Sequence, residues 1–332
     1  MLPPLSDESA LLSGLRELTQ QGRHREVVDG IGALPAGVAN DHAPLALLAA
    51  EAWGRLGNFE EAGRWAARAL DLGRRRLDTS AELRAVHFQG AIALQRGAVE
   101  DAESLFQRAL ELARGLKDVA AQARAFNNLG ILRNLLGLPD AALANYQLAL
   151  AAYQQDGNLR GMAETQINLE ISWLAMGNPE RARAAADEAI RLARIVGEPT
   201  ILGLALVARA EASLALGDPS LAAAELERAE QAYANVQFAP GLPEVRRLQA
   251  AVARARGDLP AARRLLEQAR ALAPQGASLD TQAEIERDLG DTLAAVGDAA
   301  GARSARERAL ALFRQIGARH AEEALAALLS PG

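Results

Sequence analysis

Side chains able to make or break bonds are few in this chain and stand far apart. The four histidines, His24, His42, His87 and His320, are scattered, and no two lie at a spacing that suits a metal site or a catalytic pair. Cys is absent, which removes disulfides, thiolate nucleophiles and thiolate metal ligands. The single Lys, Lys117, sits in GLKDV rather than in a Gly-rich loop, so no P-loop forms. GxSxG, GxGxxG and HExxH are also missing. Carboxylates are plentiful, but on helix faces they are ordinarily solvated. The sequence therefore predicts no catalytic residue, no cofactor and no metal, and it does not predict an enzyme.

The chain is better supplied for recognition. Asn127, Asn128, Asn134 and Asn168 each carry one acceptor and two donors, a match for the backbone of an extended peptide. Asn is also a weaker helix former than Glu, Arg or Ala, so it is a poor choice for a merely solvated helix. Further along, Glu284, Asp288 and Asp291 fall at i, i+4 and i+7, with Arg287 between them.

These residues need elements to position them, and composition says which. Half of the 332 residues are apolar, yet aromatics make up only 4%, so Ala and Leu dominate and a rich sheet is excluded. The formal charge of −6 and a pI near 5.5 argue against nucleic acid, which selects a basic stripe. The start, MLPPLSDESALLSGL, lacks the basic region of a secretory signal. The longest apolar runs, such as Thr200 to Ala208, cover less than half a membrane span. No membrane insertion is expected, and a cytoplasmic location is.

A 40-residue repeat organises the chain. Glycines recur at Gly57, Gly97, Gly137, Gly177, Gly217, Gly257 and Gly297. Five residues after each stands an Ala, from Ala62 to Ala302, and seven beyond that another, from Ala69 to Ala309. Seven residues before the glycines the position is small in every unit but one, which carries Glu170. Each unit reads as two helices. In the third, Phe126, Leu129, Leu132 and Leu136 keep helical spacing up to Gly137, which ends the helix in a left-handed conformation. Pro139 opens the next helix, roughly to Tyr153. Small residues at Gly130 and Ala142 let the two helices approach closely, and larger side chains there are expected to cost about 1–3 kcal/mol. Glu170 is expected to widen its pair or to send its carboxylate to the rim. Arg306, standing where other units have Phe106, Tyr146 or Leu226, predicts a last pair that is packed less fully or is covered by a closing helix.

The stretches NNLGILRNLLGLPDAALANYQLAL (Asn127 to Leu150) and AWGRLGNFEEAGRWAARAL (Ala52 to Leu70) resemble the tetratricopeptide repeat. The 40-residue period is similar to that of bacterial regulators of the maltose-activator type and of LGN- and kinesin-light-chain-like adaptors, and the likeness covers Pro44 to Gln315. The implied fold is all-α, a right-handed superhelix of about seven to eight antiparallel helix pairs with a C-terminal capping helix. The expected divisions are residues 1–42, a degenerate repeat with Gly22, Val27 and Leu34 in the repeat columns; 43–316, seven repeats; and 317–332, a capping helix and tail. In that helix Ala324, Leu325, Leu328 and Leu329 form the apolar side.

The resemblance also implies where ligands bind, on the concave surface lined by the first helix of each pair. With Leu129, Gly130 and Leu132 packed inward, the opposite stripe presents Arg124, Asn127, Asn128, Ile131 and Asn134. Its equivalents include Arg84, His87 and Phe88 one unit earlier, and Ile167, Asn168 and Ile171 one unit later. In the adaptor-like relatives inward Asn residues grip peptide backbones, although duplication of one repeat would equally make Asn recur. The exposed apolar residues Ile131, Ile167, Ile171 and Leu174 weigh toward binding. Arg84 and Arg124 at one end, with Glu284, Asp288 and Asp291 at the other, would steer a ligand of opposite polarity; two solvated faces that merely differ account for the charges as well. Glu164 and His87 stand where a clamp for a C-terminal carboxylate needs basic residues, so chaperone-tail binding is not expected.

The reading that follows is a non-catalytic scaffold binding an extended or helical peptide segment of a protein partner. A second reading is the sensor subunit of a bacterial signalling or transcription system, taking a peptide or small ligand. A peptide-regulated phosphatase would need a helical bundle before the repeats, which the leading residues are too few to supply. The starting Met and polar end read as a complete chain. Self-association is possible through the closing helix but is not predicted.

Overall fold

The computed structural model describes residues 8–20, 23–35, 38, 41–273 and 278–329. Among these, all regular structure is helical. The chain opens with α1 (Glu8–Gln20) and α2 (His24–Gly32). Antiparallel pairs follow: α3 (Ala43–Arg55) with α4 (Phe59–Arg75), α5 (Thr79–Gln95) with α6 (Val99–Leu116), α7 (Val119–Leu135) with α8 (Pro139–Asp156), and α9 (Leu159–Ala175) with α10 (Pro179–Val196). Then come α11 (Pro199–Ala215) with α12 (Pro219–Ala234), α13 (Leu242–Ala255) with α14 (Leu259–Leu272), α15 (Leu279–Ala295) with α16 (Ala299–Ile316), and lone α17 (Arg319–Leu329). The helices form two compact units, residues 1–125 and 126–332, with the division inside α7. Gly22, expected to anchor the leading repeat, lies outside the described residues. Val27 and Leu34 do pack with α1 and α3, Val27 fully buried.

Each turn within a pair uses the same local chemistry. Gly137 takes φ +71°, a left-handed conformation that ends α7, and Pro139 opens α8 where its missing N–H costs nothing. In many turns the next residue caps the following helix: Asn58 accepts from the Glu61 amide at 3.1 Å, and Asp258 from Ala261 at 2.9 Å. The connections between pairs repeat this device half a period later. There the left-handed position holds Gly157, Gly197 and Gly317, but also Leu77, Lys117 and Gln237, with φ of 53–55°. Only some members of this second column are glycine, so it does not stand out as a glycine repeat in the sequence.

Within several pairs, the small position faces a large one. A Cβ on Gly130 would fall 2.4 Å from the ring of buried Tyr146, and one on Gly90 2.6 Å from that of Phe106. Where the small residue is Ala210 or Ala250, the same place on the second helix holds Leu226 or Leu266. Glu170 reverses the sizes, because its counterpart on α10 is Ala186. The pair α9 and α10 therefore stays packed, and Glu170 does not reach the rim: it is 1% exposed. Arg306 lays its aliphatic stem on Gly290 and bonds Asp291 at 2.8 Å. A cavity of about 340 Å³ remains there beside Leu328 and Leu329 of α17, so the last pair is less completely filled. Of the apolar side expected for α17, Leu325 is buried with Phe313 and Ile316, while Leu328 is 63% exposed. Leu135 of α7 joins that same cluster, and the His320 Cβ would touch a Cβ on Gly137 at 3.0 Å. The end of the second unit thus returns to its beginning.

Candidate functional site

In the first unit, α1, α3, α5 and the start of α7 surround an open cavity of about 600 Å³. Its apolar lining includes Leu47, Leu48, Leu83 and Phe88. Four arginines border it, Arg16, Arg55, Arg84 and Arg124, and Glu51 is the one acid among the lining residues. Among the described residues none of the four arginines has an ion-pair partner, whereas Arg64, Arg68, Arg74, Arg75 and Arg108 of the same unit are all paired. His87 also lines the cavity, its ring centroid 6.1 Å from that of Phe106 and 6.4 Å from that of Phe88. Burial, reinforced by the charge of Arg124, pushes the His87 pKa down to about 4. The imidazole is neutral at physiological pH, so the positive field of the cavity comes from guanidinium groups. Such a cavity accepts an apolar body that carries negative charge or carbonyl oxygens.

The second unit holds the asparagines, and two of them are largely engaged. Asn127 Oδ1 accepts from Thr165 Oγ1 and from Asn168 Nδ2, both at 3.1 Å. Asn134 donates to the Tyr146 hydroxyl at 3.2 Å and accepts from Ser172 Oγ at 2.9 Å. These bonds join α7 to α8 and α9. They leave Asn127 Nδ2, a donor, and Asn168 Oδ1, an acceptor, unused. Asn128 is half-buried, as are Ile131 and Ile167, which pack against core clusters. Ile171 is the apolar member that projects into solvent, at 49% exposed.

The acidic face is more extensive than the stripe of α15 alone. Arg247 of α13, buried, bonds Glu244 at 2.6 Å, Asp288 at 3.1 Å and Glu211 at 3.2 Å, with Glu284 at 3.7 Å. Arg287 pairs with Glu284, and with Asp288 at 3.1 Å. Arg287, which the sequence places between these acids, is thus joined by Arg247, the larger counter-charge. Asp291 stands apart, turned to Arg306. Burial raises the pKa of Glu284 to about 7, against the opposing pull of Arg287 and Arg247. It raises Glu211 and Asp280 as well, and Glu170 to about 10, the last with a further push from Glu211 and Glu244. Glu170, Glu211, Glu244 and Arg247 were not among the expected site residues. Three of them were within reach of the repeat: Arg247 lies in the column of Asn127, Glu244 in that of Arg124, and Glu211 in that of Ile131.

Residues 82–155 match the tetratricopeptide repeat family. The fold of the chain is similar to that of a Rap protein complexed with competence and sporulation factor, at 12% identity and a TM-score of 0.63, over 96% of this chain and 95% of that one. NprR in complex with its cognate peptide NprX gives 14% identity and a TM-score of 0.62, over 96% and 98%. A signal transduction ATPase with numerous domains and a tetratricopeptide repeat sensor, from Pyrococcus horikoshii, gives 16% and 0.59, over 97% of this chain and 50% of that one. No curated protein gives a sequence match. At these identities the likeness is one of fold: the chain is an all-α tetratricopeptide-type array of helix pairs. No described helix is long and apolar enough to cross a membrane.

Proposed function

We propose that this protein is a non-catalytic interaction scaffold that binds an extended peptide segment of a protein partner on the inner faces of its first helices. The observation that carries the reading is the cavity of the first unit, where Arg16, Arg55, Arg84 and Arg124 stand unpaired around an apolar floor. Folding does not require four like charges to converge around a single acid, Glu51; a ligand with acidic or carbonyl oxygens and an apolar body supplies what is missing. The unused amide ends of Asn127 and Asn168 offer a peptide unit a donor and an acceptor.

A second reading, a sensor subunit of a bacterial signalling or transcription system, draws on the fold likeness to the NprR complex with its peptide and to the repeat sensor of the ATPase. Both readings use the same surface.

Selection from a random peptide display library tests the proposal. Wild-type protein is expected to enrich sequences that combine Asp or Glu with apolar residues, and Arg84→Glu/Arg124→Glu to lose them. Enrichment that is unchanged in the double variant would remove the cavity from the binding surface.

A further inference from the structure

The inner helices of four successive pairs in the second unit, α9, α11, α13 and α15, gather six acids: Glu170, Glu211, Glu244, Asp280, Glu284 and Asp288. Two guanidinium groups stand among them, Arg247 and Arg287. Arg247 is already surrounded by four of the carboxylates and has 8% of its side chain exposed.

Stability alone does not favour this excess. A buried carboxyl without a donor is costly, and an apolar residue of similar volume does better. Glu170 is the extreme case. It is 1% exposed, its Oε1 meets no hydrogen-bond donor, and other repeats place Gly or Ala in the same column. Glu170 lies within range of the charges of Glu211, Glu244 and Arg247, the groups that make up this cluster. A further N–H donor with positive charge is what six acids around two guanidinium groups lack.

A metal ion does not fit, because among the described residues no three His, Cys, Asp or Glu side chains converge to hold one. Carboxylates distributed over several helices suit a donor with several N–H groups. They are also reachable: the side chains of Glu211, Glu244 and Glu284 keep 35%, 24% and 22% of their surface. We propose that this acidic cluster binds the cationic side chain, arginine or lysine, of a peptide lying along the inner face of the second unit. The inference rests on the peptide-binding reading above and adds the charge that such a peptide must carry.

Calorimetric titration with three probes tests it: acetyl-Leu-Arg-Leu-amide, the same tripeptide with neutral citrulline for arginine, and agmatine, a free guanidinium compound. The arginine tripeptide is expected to bind about tenfold or more tightly than the citrulline one, since charge-assisted bonds are lost in the latter. Glu211→Gln and Glu284→Gln are expected to abolish most of that preference, and Glu188→Gln, in α10, to leave it intact. Circular dichroism accompanies each variant. If one fails to fold, the comparison of arginine with citrulline on wild-type protein still decides. Equal binding of both tripeptides, insensitive to the Gln variants, would leave peptide binding standing and overturn the cation site. Acid-dependent binding of agmatine without either tripeptide would keep the site and overturn its peptide occupant. Binding of none of the probes would overturn the proposal.

Discussion

Replacing Glu170 by Gln is expected to stabilise the protein, increasingly so as pH rises. The carboxyl is buried, lacks a donor to Oε1, and holds its proton to about pH 10, against 4.5 for a free side chain. Below pH 4.5 it is protonated whether the chain is folded or not, and the native state loses nothing. Above that, only the unfolded chain ionises freely, so stability falls by about 1.4 kcal/mol per pH unit until the folded carboxyl also titrates. At pH 7.5 the three intervening units come to about 4 kcal/mol. That figure holds for any folded pKa above 7.5. Gln keeps the shape without the titration, so Glu170→Gln is expected to gain under about 1 kcal/mol at pH 5 and about 4 kcal/mol at pH 7.5. Urea denaturation across this range provides the assay, with Trp173, three residues along α9, reporting locally once Trp53 and Trp65 are replaced by Phe. Parallel pH profiles for wild type and variant would refute the reasoning, since they would mean that Glu170 ionises in the native state with a compensating partner.

Two further outcomes follow from the packing. Gly130→Ala drives a Cβ to 2.4 Å from the Tyr146 ring and is expected to cost about 1–3 kcal/mol by denaturation, whereas the same change combined with Tyr146→Leu, the combination found as Ala210 with Leu226, is expected to recover part of it. Leu77→Gly relieves a left-handed backbone at a residue 89% exposed and is expected to raise stability by about 1 kcal/mol, read as a shifted thermal midpoint; an unchanged or lowered midpoint would place no strain there.

Much of this protein was legible in its sequence. The glycine and alanine columns specify where helices end and where they must approach, because backbone conformation and a missing Cβ are local properties of single residues. Helix pairing, the bound on each pair at Gly137 and Pro139, and the closing α17 all follow from that periodicity. Helical spacing puts Arg84, His87 and Phe88 on one face of α5, the repeat gives Arg124 the matching place on α7, and all four line the cavity of the first unit. What spacing could not decide is which polar groups satisfy one another. Asn127 and Asn134 spend their bonds on Thr165, Asn168, Ser172 and Tyr146. Arg247 finds its carboxylates on α11 and α15, 36 to 41 residues away. Such pairings depend on how neighbouring helices stack to within an ångström, a sum over many side chains rather than a property of any one. The fate of Glu170 shows the same division. Its column and its misfit were plain in the sequence, but only the size-reversed packing against Ala186 decided that its carboxyl stays inside, held in its neutral form by the cost of burying a charge.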